Sequence, residues 1–209
     1  GKGIEIRKRR RCILYLNDKG SAAFSQEKGS EPMSYEVLES RKTYEGKIVT
    51  ITVDKLRMPD GSEAYRETVI RKKNAAGVLA VDTDGRLLFV RQYRHPFREM
   101  LLEIPAGVIE EGESGEAAVL RELEEETGKR AGRAEFLCEL YPSVGFCTEK
   151  IQLFFATELT AGTQKLDADE FVEIEKYTLE EAIAMIHKGE IKDGKTIAAL
   201  FAWQARKNA

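Results

Sequence analysis

Short apolar runs separated by turn residues recur along the chain and predict β-strands. The runs at residues 48–53 (IVTITV) and 65–70 (YRETVI) flank the turn Pro59-Asp60-Gly61, so they are expected to pair as a hairpin. A second hairpin is predicted over residues 76–93, with its turn at residues 82–85 (DTDG). The first hairpin is too small to bury much apolar surface alone, so it is expected to pack on the main domain or on a second subunit.

The rest of the chain mixes strands with helices. Strands are predicted at residues 101–104, 134–141, 150–158 and 172–177, and helices at residues 179–188 and 196–206. A loop (PSVGFCTE) separates the two middle strands. This mixture predicts an α+β domain, in which helices cover the faces of a sheet.

A further helix is predicted between two capping residues. Ser114 is a good N-cap, and Gly128 suits the left-handed conformation that ends many helices. Between them Ala117, Leu120 and Leu123 recur at helical spacing and are expected to form the apolar stripe.

The same helix carries an acidic cluster. Glu122, Glu125 and Glu126 lie three and four residues apart, so their carboxylates share one face and repel each other. Arg121 alone cannot neutralise them. The carboxylates form either a solvated acidic face or a site for a hard cation such as Mg²⁺, which prefers oxygen ligands and binds substrate phosphates.

The spacing of fixed residues around this helix resembles the Nudix box. That pattern is a glycine, five residues, a glutamate, seven residues, then Arg-Glu-apolar-x-Glu-Glu-x-Gly-apolar. The matching positions are Gly107, Glu113, Arg121, Glu122, Leu123, Glu125, Glu126 and Gly128. Only the last position departs, with Lys129 in place of an apolar residue. The resemblance implies the Nudix fold, a mixed β-sheet sandwiched between α-helices, and a hydrolase.

The resemblance also implies roles for the box residues. The metal ligands would be the carboxylates of Glu122, Glu125 and Glu126 and the backbone carbonyl of Ala106, with Mg²⁺ as the ion and Mn²⁺ as an alternative. Glu125 is assigned a catalytic role as well. The box residues that support this geometry are Gly107, Glu113, Arg121 and Gly128, with Glu113 and Arg121 bracing the loop onto the helix.

A general base must still take the proton of the attacking water. Glu149 is the first candidate, because it ends a glycine-containing loop and related pyrophosphatases carry a loop glutamate near this position. Glu139, Glu158 and Glu170 remain alternatives. Glu103 either supports the site or is structural, since a single acid at the end of a strand does not distinguish the two.

Outside the box the chain resembles the ADP-ribose pyrophosphatase branch of the Nudix hydrolases. The resembling segments include YEGKIVTITVDKLRMPDG, VRQYRHPFREMLLEIPAG and GEIKDGKTIAALFAW. They imply hydrolysis of ADP-ribose to AMP and ribose 5-phosphate by a homodimer. By position, Arg66, Glu67 and Arg94 are candidates for binding the substrate, with Arg91 and Arg98 as competitors for the arginine roles.

One departure leaves the substrate open. Val144 stands where this branch often has a second proline, so GDP-mannose or a similar nucleoside diphosphate sugar is an alternative substrate. A non-catalytic ADP-ribose-binding module is a third hypothesis. The intact box glutamates argue against it, because a pure binder need not keep a metal cluster.

The 209 residues are expected to form a small N-terminal β domain at residues 33–75 and a hydrolase domain at residues 76–209. Residues 1–32 differ in composition: they hold eight Lys/Arg and four Asp/Glu, a net charge of +4, which leaves −7 for the rest. The basic run RKRRR is either a nucleic-acid arm or localisation signal, or part of a leader or tag before Met33 that is disordered or poorly packed. The leader or tag is favoured.

Composition limits the setting of the protein. The acidic main body does not resemble a nucleic-acid binder, and no apolar run of about 18 residues predicts a membrane span. Three cysteines, at positions 12, 138 and 147, have neither metal-ligand spacing nor an even number for a disulfide framework. A cytoplasmic protein that binds a small nucleotide substrate, with no nucleic-acid or membrane partner, is therefore expected.

Overall fold

The computed structural model describes residues 34–166, 168 and 170–207, together with the backbone of strands β1 (Cys12–Leu16) and β2 (Ala22–Gln26). The other strands are β3 (Glu36–Glu45), β4 (Val49–Arg57), β5 (Glu63–Arg71), β6 (Ala75–Val81), β7 (Leu87–Arg94), β8 (Glu99–Glu103), β9 (Ala106–Val108), β10 (Lys129–Leu140), β11 (Ile151–Ala161) and β12 (Val172–Tyr177). The helices are α1 (Gly115–Thr127), α2 (Leu179–Lys188) and α3 (Gly194–Lys207). Among the described helices, none combines the length and apolar character needed to cross a membrane.

The main sheet has seven strands. Its central order is β10-β11-β6-β7-β12, while β8 pairs with β7 and β9 pairs with β6. Strands β11 and β6 run parallel, and the other pairs for which a register is defined in this sheet are antiparallel. The predicted mixed sheet is therefore confirmed. The short strand β9 places Ala106 beside Gly77, near the start of β6.

Helices cover both faces of this sheet, which confirms the predicted sandwich. Helix α1 packs over one apolar cluster that includes Val78, Leu88 and Phe154. Helices α2 and α3 pack over the other cluster, around Phe89 and Phe155. Helix α1, which carries the acidic cluster, therefore lies on the opposite side of the sheet from α2 and α3.

The apolar stripe predicted for α1 is confirmed at Leu123 and wrong at its other two positions. Ala118, Val119 and Leu123 are fully buried, whereas Ala117 is exposed and Leu120 is only half-buried. Helical spacing alone allows either stripe, because an alanine-rich segment offers apolar side chains on adjacent faces.

The predicted N-terminal hairpin is part of a three-stranded sheet with the order β3-β4-β5. Strand β3 (EVLESRKTYE) was not expected, because nine of its ten side chains are exposed and the apolar alternation that predicts a strand is missing. Ion pairs such as Arg57–Glu36, at 2.7 Å, connect it to β4.

The chain divides into two compact units. One comprises Gly1–Glu39 and Lys55–Tyr65, and the other comprises Ser40–Asp54 and Arg66–Ala209, including the main sheet and the helices. The predicted division into residues 33–75 and 76–209 stays a prediction. The leader predicted at residues 1–32 lies outside the described residues, apart from the backbone of β1 and β2.

Candidate active site

Helix α1 begins and ends at the two residues that the sequence indicated. The Ser114 hydroxyl accepts a hydrogen bond from the Ala117 N–H at 3.1 Å, which satisfies a backbone donor that has no partner inside the helix. Gly128 adopts the left-handed conformation, with a φ of 65°, and its N–H donates to the Glu124 carbonyl at 2.8 Å. These caps fix the length over which the acidic side chains are displayed.

Residues 162–165 close the C-terminal end of α1. The Lys165 N–H donates to the Glu125 carbonyl at 2.9 Å, and the Gln164 side-chain amide donates to the Glu126 carbonyl at 2.8 Å. The Gly162 N–H donates to the Gly128 carbonyl at 2.9 Å. The last carbonyls of a helix lack internal partners, so this segment holds the acidic turn of α1 in place.

Arg121 is the central cation of the box. Its guanidinium bonds both Glu113 oxygens at 3.0 Å, reaches Glu122 at 2.7 Å and Glu125 at 3.0 Å, and donates to the Val108 carbonyl at 3.0 Å. The hydrogen bond from Arg121, followed by that from the Glu110 N–H, lowers the pKa of Glu113. Arg121 thereby connects the loop before α1 to the acidic face of the helix.

Glu126 is the most deeply buried carboxylate of the box. It is 2% exposed, and its carboxylate accepts a hydrogen bond from the Ala106 N–H at 3.2 Å. Burial, followed by the charges of Glu122 and Glu170, raises its pKa to about 8. Burial also raises the pKa of Glu122, to which the charges of Glu125 and Glu170 contribute. Glu170 therefore lies within electrostatic range of two box carboxylates.

Gly107 leaves room for one of these carboxylates. A Cβ atom at this position would lie 1.9 Å from Oε1 of Glu122, far inside van der Waals contact. The absence of a side chain thus lets the Glu122 carboxylate approach the backbone that follows Ala106. This close approach is a physical reason for the glycine that opens the box.

The donor set is suited to a hard divalent cation. The carboxylates of Glu122 and Glu126 lie close to the backbone at residues 106–107. Both have raised pKa values because burial and neighbouring negative charges are not fully compensated by cations, and such oxygen donors suit a divalent ion. Within the described part of the chain, no three His, Cys, Asp or Glu side chains are arranged to hold an ion as they stand. At the box, Arg121 forms ion pairs with both Glu122 and Glu125.

A buried ion-pair network adjoins the box. Arg94 donates from Nε and Nη2 to the two oxygens of Glu103, at 2.6 and 2.7 Å, and Lys195 bonds the same carboxylate. Lys195 also reaches Asp193 at 3.1 Å. Hydrogen bonding to Arg94, together with the charges of Lys195 and Arg94, outweighs burial and lowers the pKa of Glu103. The charge of Glu126 acts on Arg94, and that of Lys195 acts on Glu126, so the network lies close to the box.

Glu149 lies at the end of a loop that is bonded to β5. The Val69 N–H donates to the Phe146 carbonyl at 2.7 Å, and the Thr148 N–H donates to the Val69 carbonyl at 3.0 Å. The Glu149 carboxylate is 3.0 Å from Nε of Arg71. Arg66 and Glu67, two predicted substrate-binding residues, are exposed on the same strand.

The predicted site residues fall into separate recesses. Glu149 lines a cavity of about 250 Å³ with Tyr141, Val144, Cys147, Thr148 and Lys150. Glu125 lines another cavity, of about 340 Å³, with Arg121, Glu124, Thr163 and Lys165. The structure brings Glu122, Glu126 and Ala106 together, with Arg94 and Glu170 within electrostatic range of this group.

Sequence reasoning missed Lys195 and the segment at residues 162–165. Lys195 belongs to the GEIKDGKTIAALFAW segment, which carried the family resemblance but gave no sign that its lysine reaches Glu103. The residues at 162–165 act largely through their backbone, which leaves no pattern of side-chain types. The histidines at positions 95 and 187 are exposed.

Comparison with known proteins places these features in a family. The NUDIX domain family matches residues 71–200. An ADP-ribose pyrophosphatase of Bacillus subtilis (strain 168) is 39% identical over 159 residues, which are 75% of this chain and 85% of the relative. A methanol dehydrogenase activator of Bacillus methanolicus is 36% identical over 165 residues, 78% of this chain and 89% of the relative.

Two further proteins bear on substrate and fold. A GDP-mannose pyrophosphatase of Yersinia enterocolitica is 39% identical over 148 residues, 66% of this chain and 76% of the relative. A crystal structure of an ADP compounds hydrolase superposes with a TM-score of 0.77 at 21% identity, covering 84% of this chain and 96% of that one. The match over residues 71–200 shows that the chain belongs to the Nudix hydrolase family, and the capped acidic helix with its Arg121 ion pairs is consistent with this membership. Within the family, the chain is similar to ADP-ribose pyrophosphatases.

Proposed function

We propose that this protein hydrolyses the diphosphate of ADP-ribose to AMP and ribose 5-phosphate, with Mg²⁺ as the metal and Mn²⁺ as an alternative. The observation that carries the proposal is the crowded carboxylate pair Glu122–Glu126 beside Ala106, in a chain similar over three quarters of its length to an ADP-ribose pyrophosphatase. Nudix hydrolases generally use divalent metal ions, and this site has the matching donors.

The metal would be held by the carboxylates of Glu122, Glu125 and Glu126 and by the carbonyl of Ala106. When bound, a divalent ion neutralises charge on a diphosphate and lowers the pKa of a coordinated water. Arg121 would hold Glu113, and through it the loop before α1, as the helix carboxylates engage the ion. Glu126, buried against Ala106, would be the least mobile of the three ligands.

Two glutamates compete for the role of general base. Glu149 forms an ion pair with Arg71, with 3.0 Å between the carboxylate and Nε. Glu170 lies within electrostatic range of Glu122 and Glu126, which makes Glu170 the competing candidate. Replacing the base by Gln should lower kcat by about 10²- to 10⁴-fold, while replacing the other glutamate should change kcat far less. Loss of activity in Glu149→Gln alone would assign the base to Glu149, and loss in Glu170→Gln alone would assign it to Glu170.

Substrate recognition is assigned to Arg66, Glu67 and Arg94. Guanidinium groups suit the diphosphate because their planar fork donates two parallel hydrogen bonds to phosphate oxygens. Arg94 lies in the network beside Glu126, which supports a contact with the diphosphate. Glu67, an acceptor on an exposed strand, would receive hydrogen bonds from the adenine amino group.

The test is a substrate panel at fixed enzyme and Mg²⁺ concentrations. The protein would be incubated with ADP-ribose, GDP-mannose, NADH, a diadenosine polyphosphate and dGTP, and the products resolved by chromatography. A Glu126→Gln sample controls for contaminating hydrolases. AMP released fastest from ADP-ribose, and absent with the variant, is the expected result. Binding of ADP-ribose without product would instead favour a non-catalytic binding module.

GDP-mannose is the second candidate substrate. The similarity to a Yersinia GDP-mannose pyrophosphatase and the Val144 departure from the ADP-ribose branch both favour it. Faster release of GMP from GDP-mannose than of AMP from ADP-ribose in the panel would replace the first proposal while leaving the box chemistry intact.

The proposal also includes an oligomeric state and a location in the cell. A homodimer would give the β3–β5 sheet a partner surface, because this sheet exposes Val37, Tyr44 and Tyr65. Sedimentation velocity should then give twice the chain mass of 23.5 kDa.

A cytoplasmic location agrees with Cys138 and Cys147, which are free thiols. Fractionation of the native cell would test it.

A further inference from the structure

Arg94 and Lys195 share one buried carboxylate but differ in what they expose. Glu103 is 2% exposed and receives hydrogen bonds from both cations. The Arg94 side chain is 38% exposed, whereas that of Lys195 is 11% exposed and is bonded to Glu103 and Asp193. Arg94 is therefore open to a ligand, while Lys195 is committed to two carboxylates inside the protein.

The geometry of the Arg94–Glu103 pair leaves one edge of the guanidinium directed elsewhere. A guanidinium carries five N–H donors in a rigid plane. Nε and Nη2 face Glu103 in a bidentate pair, so the edge formed by the two terminal nitrogens points away from that carboxylate. A planar group held along one edge presents the other edge in a fixed orientation.

The start of helix α3 holds Lys195 in the network. The Asp193 carboxylate accepts hydrogen bonds from the Thr196 N–H at 3.0 Å and from the Thr196 hydroxyl at 2.6 Å, which caps the helix. Thr196 in turn accepts the Ile104 N–H at 2.9 Å, directly beside Glu103. The first turn of α3 is thereby attached to the strand that carries Glu103.

We infer that Glu103 and Lys195 are positioning residues for substrate binding: they hold Arg94 so that its outer edge receives the anionic diphosphate beside Glu126. This inference rests on the proposed function of the same site. Lys195 bonds Oε2 of Glu103, the oxygen that also accepts from Nη2 of Arg94, and thereby attaches the carboxylate that holds Arg94 to the start of α3. Neither residue touches the substrate, and their loss should weaken binding more than the chemical step.

The test compares Glu103→Gln, Lys195→Met and Lys195→Arg with the wild type. A glutamine has one acceptor oxygen and cannot hold the guanidinium at two points. Glu103→Gln should raise KM for ADP-ribose about tenfold, as expected for losing a charge-assisted pair, with kcat within about twofold. Lys195→Met should raise KM about threefold, and Lys195→Arg should restore most of the affinity because it keeps the charge.

A matched pair on the other face of the same strand provides the control. Arg91 bonds Glu175 through Nε and Nη2, as Arg94 bonds Glu103, but its side chain points to the opposite face of β7. Glu175→Gln should therefore lower thermal stability without changing KM. If Glu103→Gln also lowers only the melting temperature and leaves KM unchanged, Glu103 is merely structural and the inference is wrong.

A binding measurement separates this inference from the proposed activity. Calorimetry would measure the Kd of an ADP-ribose analogue whose bridging oxygen is replaced by methylene, so no hydrolysis is needed. Tight binding by the wild type, weakened in Glu103→Gln, supports the inference even if ADP-ribose is not cleaved. No binding by the wild type overturns both proposals. Should Glu103→Gln fail to fold, equal Kd values for Lys195→Met and Lys195→Arg would overturn the inference.

Discussion

Replacement of Gly107 by alanine should disable the site while leaving the fold intact. The new Cβ would lie 1.9 Å from Oε1 and 2.0 Å from Cδ of Glu122. Ordinary van der Waals contact begins near 3.4 Å, so the carboxylate must withdraw by about 1.5 Å. A displacement of about 1 Å at a catalytic centre can cost about 10²-fold in rate, so kcat should fall at least that far.

The assay measures steady-state hydrolysis of ADP-ribose across a Mg²⁺ titration, together with thermal unfolding. The melting temperature should change little, because the atoms that must move are the end of a flexible side chain. A higher Mg²⁺ requirement should accompany the lower kcat. Gly194→Ala is the matched control, since a Cβ at that position meets nothing within 4 Å. Wild-type kcat and Mg²⁺ dependence in Gly107→Ala would refute the idea that Glu122 must occupy this place.

Two further predictions concern stability. Burial alone would raise the pKa of Asp82, but hydrogen bonds from Lys176 and Thr83 and the charge of Lys129 lower this pKa from 3.8 to about 2. The ionised Asp82 therefore stabilises the fold fully above about pH 4, and this stabilisation is lost as the pH falls towards 2. In urea denaturation, the free-energy difference between the wild type and Asp82→Asn should therefore shrink by about 2 kcal/mol between pH 6 and pH 2; a constant difference would contradict this. Thr196→Val leaves the buried Ile104 N–H without its acceptor and should lower the free energy of unfolding by about 1–3 kcal/mol. An unchanged midpoint in urea denaturation would show that this hydrogen bond does not contribute to stability.

The sequence predicted best where local rules decide the structure. The ends of α1 follow from Ser114 and Gly128 because capping depends on the residues at the helix ends and not on tertiary contacts. The hairpin over residues 76–93 was equally accessible, since its apolar strands flank a turn that contains Gly85. The box spacing indicated which carboxylates are crowded, because residues three and four apart on a helix are neighbours.

Long-range partners could not be derived in the same way. Glu103 remained ambiguous from the sequence, and its partner Lys195 lies 92 residues away. Nothing in the spacing of either residue indicates that β8 and the start of α3 meet. Glu170 was one of several alternatives for the base, and the sequence did not indicate that its charge acts on Glu122 and Glu126. Such pairings depend on the packing of the sheet and helices, which a local pattern does not contain.

The departure at Lys129 from the box pattern has a local physical explanation. Asp82, in the turn between β6 and β7, has a side chain that is only 2% exposed, and a buried carboxylate without a cation is strongly destabilising. Lys129 brings its ammonium to 3.4 Å from that carboxylate, and Lys176 of β12 bonds the same oxygen. An apolar residue at position 129 would leave Asp82 with one cation fewer. Lys129 therefore contributes to charge neutralisation at the β6–β7 turn, and its presence requires no change in the box carboxylates.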